Sequence, residues 1–205
     1  MAVAGGIVWT FGPSAIIAAV VAGVVAGAVT DALIEHRQLR EDEYDFAQVV
    51  FAGTLPPREK LYLTNLSHDG GRKYTWPNVD GNILMNMGDA FDDPVHHNDG
   101  GYPTQGQVLI HELTHAWQIA RLNFVPGLVC RRVTGGASYT PGPADGDWPS
   151  DFGLEQQATV VDRWFGTYGM GWTDVEDLKA KLSSQLAIKD KYFHYIANNI
   201  RLAED

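Results

Sequence analysis

Five consecutive residues constrain this chain more than any other feature: His111-Glu112-Leu113-Thr114-His115, an HExxH pattern within a stretch that reads as a helix. Thr104, with Gln107 three residues on, has the form of a capping box. Val108, Leu109, Leu113, Ala116, Ile119 and Ala120 then supply an apolar stripe through Arg121, and Pro126 and Gly127 lie beyond its end. On a helix, residues i and i+4 stand one above the other, so both imidazoles reach one cation. Glu112 stands about a hundred degrees around from His111, close to such a cation without having to bind it. From there it is placed to take a proton from water. The bland alternative is a polar helix face with two surface histidines, and the helical setting among apolar neighbours outweighs it.

A catalytic zinc ion usually has three protein ligands and an open position. The longer HExxHxxGxxH pattern is absent: Arg121 stands six residues after His115, and the next histidine is His194. Glu155 lies at the start of a second helix expected over 153–165, and it is the only Glu between Glu112 and Glu176. It is the favoured third ligand, against the alternative of an acid that complements a helix N-terminus. Asp145, Asp147 and Asp151 compete only if their loop folds over the site. Asp162, two turns after Glu155, has two readings. It orients a ligand imidazole from behind, or it pairs with Arg163 or solvent, and the sequence alone favours the second. The pair His96-His97 reads as part of a polar loop rather than as a second metal site.

With one cysteine, Cys130, the chain has neither an intramolecular disulfide nor a thiolate metal cluster, so any ion is held by His, Asp or Glu. Twenty-five acidic residues against 15 basic ones give a net charge of −10, which argues against a nucleic-acid partner. Candidate strands at 61–65, 73–76 and 82–87 are separated by turn signals at Asp69-Gly70-Gly71 and Val79-Asp80-Gly81. They predict a small, mainly antiparallel sheet, with 82–87 either an edge strand able to pair an extended peptide or an interior one. Residues 92–103 and 133–150 read as loops. Helical spacing of Leu178, Leu182, Leu186, Ile196 and Ile200 predicts one long C-terminal helix over 175–202. The expected fold class is α+β.

An apolar Ala/Val/Gly-rich segment, residues 1–34, precedes the domain expected over 35–205. Nothing positive precedes the apolar run at 7–29, which argues against a signal peptide. Membrane contact and burial as a helix against the rest of the chain both stay open. The charge-dense stretch Asp31 to Asp45 reads as a solvated helix end or linker.

The block His111-Glu-Leu-Thr-His-Ala-Trp-Gln118, followed by Glu155-Gln-Gln-Ala158 on a downstream helix, resembles bacterial zincin-like metallopeptidase domains of the gluzincin pattern. Several such domains are attached to, or travel with, type VI secretion spike and Rhs-type toxin proteins. The resemblance covers roughly residues 54–165. It implies one zinc ion held by His111, His115 and Glu155, with Glu112 as general base and acid in hydrolysis of a protein or peptide substrate. It also implies a secreted antibacterial effector acting in the periplasm or envelope of a target cell, with a secretion-apparatus, chaperone or immunity partner. The N-terminal segment is similar to membrane-interacting leaders of such effectors. Tyr139, Tyr168, His194 and Tyr195 are candidates to stabilise the developing oxyanion. One departure stands out: many gluzincins carry an acid one turn after the ligand Glu, and here that position is Thr159. Two other functions compete, a non-catalytic zincin-fold binding or delivery module and membrane disruption through residues 7–29.

Overall fold

Alternation of inward and outward side chains builds the sheet. In β2 (Leu61–Thr64) and β4 (Ile83–Asn86), Leu61, Leu63, Ile83 and Met85 are buried, while Tyr62 and Leu84 between them are only partly so. β1 (His36–Gln38) pairs antiparallel with β2, β2 pairs parallel with β4, and β3 (Tyr74–Pro77) pairs antiparallel with β4. The order is β1-β2-β4-β3. The computed structural model describes residues 35–65, 73–78, 80–121 and 139–202. The segment 7–29, Cys130 and the Asp69-Gly70-Gly71 turn lie outside them.

The expected sheet is therefore mainly antiparallel, but its central pairing is parallel. The reason is local. β3 and β4 form a hairpin in which the Asn78 N–H donates to Asn82 O at 2.8 Å and Gly81 takes φ +82°. β4, not β3, then lies beside β2, so residues 82–87 are interior and β3 is the outer strand of the described sheet.

Among the described residues the longer helices of the α+β fold are α1 (Glu41–Phe51), α2 (Gln107–Arg121), α3 (Leu154–Tyr168) and α4 (Val175–Leu182). α2 packs on α3, on β3 and β4, and on α1. The chain divides into Met1–Glu35 and His36–Asp205, and among the described residues no helix is long and apolar enough to cross a membrane.

Three expectations need correction. The stretch through Asp45 is not simply solvated, because α1 starts at Glu41 and buries Phe46, Ala47, Val50 and Phe51 in the core. Its Glu43 is fully buried, taking hydrogen bonds from Arg37 Nη1 and Nη2 at 2.8 and 2.7 Å and from the Arg40 backbone N–H at 2.7 Å. Second, α2 begins at Gln107 rather than Thr104, since Gly106 before it takes φ +79°. Gln107 Oε1 still accepts the Thr104 N–H at 3.3 Å, but the Thr104 hydroxyl donates across to the Gly166 carbonyl at 2.7 Å.

Third, the long C-terminal helix is broken. α4 ends at Leu182, a short helix follows at Gln185–Ile188, and Phe193–Tyr195 leads into a π-helical stretch at Ile196–Arg201. Ser184 Oγ caps the second piece by accepting the Ala187 N–H, and Asp190 Oδ1 accepts the Tyr192 N–H at 2.8 Å. Such side chains compete with the helix ladder for backbone N–H groups. The breaks also shift the buried face: Leu178, Leu182, Ile196 and Ile200 are buried as the spacing predicts, but Leu186 is 75% exposed and its neighbour Ala187 is buried instead.

Candidate metal centre

The order of contacts along α2 and α3 shows that the two helices run antiparallel. Gln107 and His111 meet Asp162, His115 meets Glu155, and Gln118 meets Leu154 and Gln157. Gly166 leaves room for the end of the Gln107 side chain between the helices: a Cβ there would stand 2.5 Å from Gln107 Oε1. With the helices in this register, one turn of α2 presents both imidazoles to the first turn of α3.

His115 Nε2 lies 3.2 Å from His111 Nε2 and 3.2 Å from Glu155 Oε2, and His111 Nε2 lies 3.4 Å from the same oxygen. A tetrahedral zinc site with ligands at about 2.0–2.1 Å has edges of about 3.3–3.4 Å, so this triangle has the dimensions of one face of such a site. Among the described residues, these three form the one group of His, Cys, Asp or Glu that converges closely enough to hold an ion.

The groups behind the imidazoles decide which nitrogens carry protons. His111 Nδ1 donates to Asp162 Oδ2 at 2.6 Å, and Gln107 Nε2 donates to Asp162 Oδ1 at 3.0 Å. Behind His115 stands an amide chain. Gln157 Nε2 donates to the carbonyls of Trp148 and Phe152, so its Oε1 accepts from Gln118 Nε2 at 2.9 Å. Gln118 Nε2 also donates to Leu154 O at 3.0 Å, which turns Gln118 Oε1 towards His115 Nδ1 at 2.7 Å. Each Nδ1 is therefore a donor, and each Nε2 lone pair faces Glu155. Lone pairs and a carboxylate oxygen meeting this closely call for a cation or a proton between them. In the metal-free chain, burial opposes a charged His111, but the bonds to Asp162 and Glu155 and the charge of Glu112 outweigh it and push its pKa up to about 10. A divalent ion would compete with that proton.

Asp162 thus touches His111 rather than Arg163 or solvent, and the carboxylate sits two turns after Glu155, not one turn after it at Thr159. If the centre holds a divalent ion, Asp162→Ala should weaken its binding by about 10- to 100-fold, read with zinc as the probe by competition with a chromophoric chelator, with the chain still folded. Affinity equal to wild type would remove Asp162 from the site.

Glu112 is 3% exposed, and its Oε2 accepts a hydrogen bond from Thr75 Oγ1 in β3 at 2.6 Å. The Tyr102 ring stands edge-on to His111, centroids 5.5 Å apart, and the ring of Tyr139, an exposed residue, lies 6.4 Å from that of His111. Burial and the nearby carboxylates of Asp162 and Glu112 raise the Tyr102 phenol well above its ordinary value. The backbone of Tyr102 is fixed by a turn in which Asp99 Oδ1 accepts its N–H at 2.9 Å.

The other candidates make their contacts elsewhere. The Tyr168 hydroxyl donates to Asp190 at 2.9 Å, and Tyr168 lies thirteen residues along α3 from Glu155, about 20 Å on an ideal helix. His194 lies against the Tyr195 ring, and the Tyr195 hydroxyl donates to the Gly146 carbonyl. The histidine pair before α2 is split: His96 bonds Asp93 and stacks on Trp172, whereas His97 faces Asp89 and Asp99. The sequence reading gave no role at the centre to Tyr102, Thr75, Gln107 or Gln157, and took Gln107 only as a capping partner. Gln107, one turn before His111, carried a usable signal, while Tyr102 and Thr75 carry none without the tertiary fold.

Comparison with family models, with curated proteins and with solved structures finds no match, so the reading of this centre rests on its geometry and chemistry.

Proposed function

We propose that the protein is a zinc-dependent metallopeptidase in which His111, His115 and Glu155 hold the ion and Glu112 moves the proton. The observation that carries this reading is the triangle of ligand atoms, each imidazole backed by a hydrogen-bond acceptor, beside a carboxylate that is not one of the three. Two imidazoles and a carboxylate suit zinc, which when bound lowers the pKa of water and polarises a carbonyl.

The chain's own residues supply the remaining chemistry. Glu112 takes a proton from the attacking water and delivers it to the departing amine. Asp162 and Gln118 keep the imidazoles oriented throughout. Tyr102 and Tyr139 are the phenols beside His111 and are the donors to which we assign stabilisation of the tetrahedral oxygen. By resemblance, the biological setting is that of a secreted antibacterial effector acting in a target cell's envelope, with a protein or peptide substrate.

The test is elemental analysis of the purified full chain together with cleavage of fluorescein-labelled casein. Wild type should hold one zinc ion per chain and release fluorescence. His111→Ala and Glu155→Ala should lose both the ion and the cleavage. Equal zinc in all three proteins would dissolve the site, whereas zinc without cleavage in wild type would favour a binding or delivery module.

A further inference from the structure

We propose that Thr75 is a positioning residue for Glu112: its hydroxyl pins Oε2 and thereby assigns the proton transfer to Oε1. The inference rests on the peptidase reading and deepens it. The Thr75 Oγ1 to Glu112 Oε2 separation of 2.6 Å falls in the range of charge-assisted O–H···O⁻ bonds. Thr75 Oγ1 also lies 3.1 Å from the Glu112 carbonyl, but the hydroxyl has one proton and the carboxylate is the stronger acceptor. Thr75 is buried, and branching at Cβ restricts its χ1, so the hydroxyl stays where β3 puts it.

Glu112 is almost wholly enclosed, yet no described residue donates to its Oε1. One oxygen is therefore anchored to the sheet and the other is left to exchange a proton. In the forward step a water O–H bond breaks and Oε1–H forms. In the return step Oε1–H breaks and an N–H bond forms on the leaving amine, so the proton count closes on a single oxygen without rotation of the carboxyl group. Thr75 donates to Oε2 in both states. The strand that carries it is the outer one of the described sheet and packs directly on α2, so the sheet, and not the motif helix alone, sets the aim of the carboxylate.

The experiment compares Thr75→Val, which removes the hydroxyl at nearly constant shape, with Thr75→Ser, which keeps it, in the full zinc-loaded chain. For a quenched-fluorescence peptide that wild type cleaves, Thr75→Val should lower kcat by about 10- to 100-fold with KM within about twofold, and Thr75→Ser should restore most of the rate. Zinc content should stay at one ion per chain in both. A second readout needs no turnover: the 13C resonance of the Glu112 side-chain carboxyl, identified by its absence from Glu112→Gln, should move in Thr75→Val and return in Thr75→Ser. Wild-type kcat in Thr75→Val, or an unmoved carboxyl signal, overturns the proposal. Should wild type hold zinc and cleave nothing, the peptidase reading fails and the carboxyl signal still decides whether Thr75 holds Glu112.

Discussion

On the proposed peptidase reading, Glu112→Gln is expected to lower peptide hydrolysis by about 10²- to 10⁴-fold while the bound ion and the melting temperature are kept. The substitution preserves shape in a residue that is 3% exposed. The amide oxygen can still accept from Thr75 Oγ1, now 2.6 Å from the carboxylate. What it loses is the ability to accept a proton from water and pass it on. None of the three converging atoms belongs to Glu112, so the ion should remain. Steady-state kinetics, elemental analysis and thermal melting on the same preparation separate the outcomes. Retained hydrolysis would show that the proton travels by another route, and lost zinc would show that Glu112 helps to hold the ion.

Glu43→Ala is expected to cost about 3 kcal/mol of folding stability, the lower end for breaking a buried ion pair because both basic partners are partly solvated. Glu43 is fully buried, whereas the Arg37 side chain is 23% exposed and the Arg40 side chain 44%. Removing the carboxylate strands a guanidinium that makes two bonds to it at 2.7 and 2.8 Å, and leaves the Arg40 backbone N–H at the start of α1 without its acceptor. Arg37 Nη2 also donates to Phe91 O at 2.7 Å, and Arg40 Nη1 to Asp92 O at 3.1 Å. The cluster thus fastens β1 and α1 to the segment that leads to Tyr102 and α2. In a domain of this size the loss corresponds to a fall in melting temperature of about 6–12 °C. Chemical denaturation should show it with an unchanged denaturant slope, and a loss below about 1 kcal/mol would mean that water already serves these charges.

The parts of this arrangement that could be read from the sequence are the parts that depend on nearby residues. The helix at Gln107–Arg121 and the facing of His111 and His115 follow from a four-residue interval. Glu155 stood out because no other glutamate lies between Glu112 and Glu176. Asp162 was undervalued because a seven-residue interval on α3 acquires meaning only when that helix runs antiparallel to α2 with Gly166 against Gln107. Thr75 reaches Glu112 from 37 residues away, a distance no periodicity can bridge. Counting charges misled at Glu43, because an acid flanked by Arg37 and Arg40 is locally neutralised and can be buried. Apolar spacing misled at the C-terminus for a different reason: Ser184 and Asp190 redirect the backbone, so that Leu186 faces out and Ala187 in while Ile196 and Ile200 stay buried.

The amide chain behind His115 ends on the main-chain oxygens of Trp148, Phe152 and Leu154. Those oxygens belong to the main chain, so the direction in which Gln157 and Gln118 point depends on the path of the backbone, which the buried Trp148 and Phe152 side chains hold against Tyr195. The tautomer of His115 is thereby tied to the packing of the core some residues away, through two glutamines that carry no charge.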